Sequence, residues 1–71
     1  MNTSTLDLSP EYEIRFASLF IPGRGLAFSC NAKGSVDLDA LTTRARDNYL
    51  FARAMVGREY AVPRVCPLEV A

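Results

Sequence analysis

The chain has 71 residues, 49% of them hydrophobic and 23% charged, with eight bases balancing eight acids. That leaves room for one small core and no second domain, in a composition typical of folded chains. There is no histidine, which excludes a histidine general base, a catalytic triad and histidine metal ligation.

The remaining chemistry-bearing residues are sparse. Two cysteines, Cys30 and Cys66, are too few for a four-thiolate zinc site within one chain. Cys30 is expected as a core thiol, and the sequence leaves open whether the two pair. No segment approaches the roughly 20 apolar residues of a membrane span, and the first residues carry neither the basic nor the apolar part of a secretory signal. The expectation is therefore a cytoplasmic protein with no membrane partner, no cofactor and no metal. For a chain of this size, apolar burial and ordering entropy nearly cancel, so a second copy or another partner would help it fold.

Residues 1–11 are polar and contain the turn signal Ser9-Pro10, which reads as a flexible leader. From Tyr12 to Ile21, Tyr12, Ile14, Phe16 and Phe20 fall on even positions and Glu13 and Arg15 on odd ones. This period of two predicts a half-buried strand. Pro22-Gly23-Arg24-Gly25 reads as a tight reversal, and the alternating run Leu26–Asn31 completes a β-hairpin. A loop of odd length, pairing Ile21 with Gly25 or closing over Gly23-Arg24-Gly25, puts Phe16 and Phe20 beside Leu26, Phe28 and Cys30. A two-residue turn would scatter them over both faces.

After a second turn at Asn31–Gly34, a helix is expected from Leu38 to Val56. Asp37 would be its N-cap, Val36 and Leu41 its staple pair, and Gly57 its C-terminal stop. At about 100° per residue, Leu38, Leu41, Ala45, Tyr49, Ala52, Met55 and Val56 form one apolar stripe, the natural cover for the aromatic face of the hairpin. Pro63 and Pro67 rule out a central strand beyond the helix but allow an extended edge segment through Tyr60 and Val62. The expected fold is a small α+β domain of order β-β-α over residues 12–62, with a proline-containing tail at 63–71.

Several features invite a functional reading. The Pro22–Gly25 tip resembles an anion nest only loosely, having neither the length nor the lysine of a phosphate loop. Asp37 and Asp39 are explained by a helix start, so a catalytic carboxylate pair is not expected, and the chain reads as no enzyme. Arg46 and Arg53 share a helix face and, with Arg24, could contact nucleic acid as an accessory protein. A pI of about 6.1 argues against that alternative.

The strongest signal is surplus apolar surface. Leu50 and Phe51 lie off the helix stripe, and Leu19 and Ile21 lie on the odd face of the hairpin. One helix covers one face of a two-stranded sheet, so these four lack cover unless Val62, Val65 and Leu68 of the tail fold over them. Such surplus marks an interface, and a bare hairpin also has open edges. The expectation is a non-enzymatic interaction protein, a homodimer with a further protein partner, whose copies pair edge to edge with Leu50 or Phe51 crossing the twofold axis.

Overall fold

A computed structural model describes residues 11–68. Strand β1 (Tyr12–Ala17) pairs antiparallel with β2 (Gly25–Cys30), and a 3-10 turn (Leu38–Ala40) leads to helix α1 (Thr43–Ala54). A third strand, β3 (Arg64–Pro67), pairs antiparallel with the other side of β1, giving the sheet order β2-β1-β3. The α+β class and the hairpin-plus-helix arrangement are as the sequence predicts. The third strand falls inside the segment that the sequence assigns to a tail, and the expected leader, apart from Glu11, lies outside the described residues. Among the described residues, no helix is long and apolar enough to cross a membrane.

The hairpin has the expected parity and a different turn. Phe16 pairs with Leu26 and Ala17 with Gly25, leaving a seven-residue loop at 18–24 in place of the three-residue turn. An even displacement of register preserves faces, so Phe16, Leu26, Phe28 and Cys30 stay together while Phe20 leaves the strand and is 68% exposed. Two local features explain the early end. The Ser18 hydroxyl accepts from the backbone N–H groups of Phe20 and Ile21 at 3.2 and 3.0 Å, a side-chain turn that competes with the ladder. At the other strand, Gly25 lies so close to β1 that an added Cβ would overlap the Phe16 carbonyl oxygen.

Asp37 is a cap, but of the wrong element. Its carboxylate accepts from the Asp39 N–H at 3.1 Å and starts only the 3-10 turn, after which Leu41 is extended. The α-helix begins at Thr43, with the Thr42 hydroxyl accepting from the Ala45 N–H at 3.1 Å. Chain reversal after α1 uses Gly57 at φ +89°, as expected of a helix stop, with the N–H groups of Arg58, Glu59 and Tyr60 converging on the Met55 carbonyl.

The core consists of Ile14, Phe16, Phe28, Tyr49 and Ala52, with Leu26, Cys30, Val36, Leu38, Leu41, Val56 and Tyr60 packed against it. Phe16 is fully buried. Its ring meets Phe28, Tyr49 and Tyr60 edge to face at centroid distances of 6.0, 6.1 and 6.4 Å, the favoured geometry for aromatic quadrupoles. All of this lies on one face of the sheet. Cross-strand register puts Glu13, Arg15, Ala17, Ala27, Ser29, Arg64 and Cys66 on the opposite face, which the helix does not cover.

Candidate functional site

The seven-residue loop is tied to the chain beyond the helix. Leu19 N–H donates to the Glu59 carbonyl at 2.9 Å, Gly57 N–H to the Tyr60 carbonyl at 2.7 Å, and Ser18 and Tyr60 form an isolated antiparallel bridge. Tyr60 thereby becomes a hub. One side of its ring meets the core through Phe16, and it also meets Phe51 edge to face at 6.2 Å. Ile21, Tyr60, Leu26, Ser18, Arg24 and Glu59 line a cleft of about 220 Å³. Leu19, Ile21 and Phe51 are each about half exposed.

Two of the four expected interface residues, Ile21 and Phe51, thus meet Tyr60, and Leu19 is tied next to it through its backbone. They do not lie where the sequence places them. Leu19 and Ile21 belong to the loop and not to the second face of the sheet, because β1 ends at Ala17. That second face carries charged and small side chains instead. Nor does the tail cover them, since β3 takes a place in the sheet and Val62 is 74% exposed. Leu50 is also half exposed, but sits about 100° round the helix from Phe51, on the other flank of the buried stripe, and nothing ties it to the Tyr60 group. Tyr60 itself is the member that the sequence missed. Its position three residues after a helix-stop glycine, in a loop rather than a strand, gives no periodic signal.

Of the arginines named for the alternative nucleic-acid reading, Arg46 and Arg53 make contacts within the molecule. Arg46 Nε donates to the Leu38 carbonyl at 3.2 Å, joining the helix to the 3-10 turn. Arg53 Nε donates to the Tyr49 hydroxyl at 2.8 Å, and its guanidinium lies over the Tyr49 and Phe16 rings at 5.4 and 5.7 Å from their centroids. This position combines a hydrogen bond with a cation–π contact and roofs the core. Arg24 stands apart in the hairpin loop, where it lines both clefts of that region. The uncovered sheet face holds two further arginines directly opposite each other, Arg15 and Arg64. Arg15 is paired with Glu13, whose hydrogen bond and charge push its pKa up further.

The cysteines sit on the two outer strands, Cys30 opposite Tyr12 and Cys66 opposite Glu13, with β1 between them. Two strand spacings are about 9–10 Å, beyond the roughly 7 Å that a disulfide tolerates, and the side chains leave opposite faces. Both are free thiols. Burial pushes the Cys30 thiol up, and the charges of Glu13 and Cys66 act in the same direction, so it is protonated at neutral pH and a weak nucleophile. Cys30 borders an open cleft of about 590 Å³ with Glu11, Tyr12, Ser29, Asn31, Ser35, Val36 and Asp37. Among the described residues, no group of three or more cysteines and carboxylates is placed to hold a metal ion.

Compared with known proteins, the chain matches no family model, no curated protein and no solved structure.

Proposed function

We propose that the chain is a small, non-enzymatic interaction protein that works as a homodimer and docks a protein partner at the hairpin end. The observation that carries this reading is the meeting of Ile21 and Phe51 with Tyr60, one across a shared cleft and one edge to face, with Leu19 tied beside it through its backbone and all of them left partly open to solvent. Contiguous apolar surface of this kind marks an interaction site. Tyr60 and Phe51 are the rigid aromatic anchors, and Arg24 and Glu59 supply a polar rim. The cleft beside Tyr60, about 220 Å³, falls below the ~300 Å³ at which small-molecule sites begin, which favours a protein side chain as its occupant. Homodimerisation is favoured by a core of, among the described residues, five buried hydrophobic side chains, little for a chain that must fold alone.

Light scattering over a concentration series tests the oligomer, with a mass of twice 7.8 kDa expected and a monomer at high concentration overturning it. The docking surface is tested with an anilinonaphthalene dye. Native protein should enhance its fluorescence, and Phe51→Asp should cut the enhancement several-fold without unfolding the chain. A native dimer that leaves the dye dark has this surface covered, and the docking role then falls.

A further inference from the structure

The two edges of the sheet are unlike. In an antiparallel ladder, alternate residues point both N–H and C=O towards the partner strand and the others point both away. Ser18 N–H donates to the Arg24 carbonyl at 2.8 Å, and the pairing Phe16↔Leu26, Ile14↔Phe28 continues that register. Even residues of β2 therefore face β1, and Gly25, Ala27 and Ser29 turn their N–H and C=O groups outward. Among the described residues, no backbone or side-chain group bonds them, and all three residues are exposed. On the other side, Leu68 N–H donates to the Glu11 carbonyl at 2.8 Å, so Arg64 and Cys66 face β1. The outward positions of that edge are Pro63, Val65 and Pro67. Two of these three have no N–H to offer.

Natural edge strands are protected against further pairing by proline, by charge or by a bulge. Edge β3 has the prolines, and Arg64 as well. Edge β2, Gly25-Leu-Ala-Phe-Ser-Cys30, has no proline, no charged residue and no break in register. We propose that β2 is the strand along which two copies of this chain join, antiparallel, about a twofold axis through Ala27. This inference rests on the homodimer reading and adds its joint.

The sequence of β2 suits pairing with itself. With Ala27 opposite Ala27 of the second copy, Gly25 meets Ser29 of the second copy and the reverse, so all three outward residues on each side are used, in about six hydrogen bonds. Between them, Leu26 falls opposite Phe28 of the second copy on the helix-covered face. Leu26 is partly buried and Phe28 nearly fully buried in the single chain, so the apolar layer continues across the axis. No charge meets a like charge, since β2 carries none. The two helices then lie on one face of a continuous sheet.

Residue-resolved amide exchange on the wild-type protein, with light scattering on the same sample, tests the joint. A dimer is expected in which the Ala27 and Ser29 amides, which point away from β1, are protected as strongly as those of Leu26 and Phe28. Ala27→Lys puts two lysines face to face on the axis and should halve the mass. Mixing Ala27→Lys with Ala27→Glu chains should restore the dimer as a one-to-one heterodimer. A wild-type dimer whose Ala27 and Ser29 amides exchange freely overturns the β2 joint and leaves the homodimer standing. A monomeric wild type overturns both.

Discussion

Neighbouring residues of β1 live in different surroundings. Ile14 and Phe16 are buried in the core, Phe16 within reach of three aromatic rings, whereas Arg15 and Ala17 are exposed on a face that the helix does not cover. The uncovered face needs no cover. Its side chains are charged or small, and Glu13 and Arg15 neutralise each other there. Among the described residues, the large exposed apolar side chains lie off that face, at Leu19, Phe20 and Ile21 where the chain leaves the ladder, at Leu50 and Phe51 on the helix flanks, and at Val62 and Val65 in and before β3. A bare sheet face and a surplus of apolar area are therefore separate matters in this molecule, and the docking surface proposed above rests on the second alone.

The comparison breaks most visibly at Phe16. Phe16→Ala removes the ring on which Phe28, Tyr49 and Tyr60 converge and should cost about 3–5 kcal/mol, read as a shift in the denaturant midpoint. A loss under about 1 kcal/mol would mean that the two faces of β1 do not differ as described. A smaller effect sharpens the account of how the covering helix is held. Thr42→Ala should cost about 1 kcal/mol and Asp37→Ala less, because Thr42 caps the α-helix and Asp37 only a three-residue turn; the reverse order in chemical melts would return the helix start to Asp37. Smallest of all is the open face. Arg15→Ala leaves a partly solvated Glu13 and should not move the midpoint measurably, as expected of an exposed ion pair.

The sequence made one aspect of the hairpin plain and hid another. Parity was legible, because an error of one residue would have turned Phe16 or Phe28 to solvent. Turn position was not, because a register four residues away has the same faces, and the choice depends on the Ser18 hydroxyl and on the close approach of Gly25 to Phe16. At the helix, Asp37 and Thr42 are both cap-forming residues, and Leu38 and Leu41 pack on the core whether the chain between them is helical or not. The buried stripe was therefore right although the start was five residues off. The third strand was obscured by its prolines, which argue against a strand only if their N–H positions face a neighbour. Pro63 and Pro67 are an even number apart, so one register turns both outward. Of the proposed docking surface, the exposure of its apolar residues was legible, but not the place of Tyr60, which comes from a bridge to Ser18 that no periodicity signals.

Those two prolines also bear on how large an assembly can become. A polymer chemist would call a unit with a single reactive end monofunctional: it couples once and the product is inert. With β2 consumed in a joint, both outer rims of the resulting sheet are β3 rims, each with Val65 as its only outward N–H between two prolines. If β2 is the joint proposed above, growth by strand addition is expected to stop at two copies, in contrast to sequences whose exposed strands go on to build fibres.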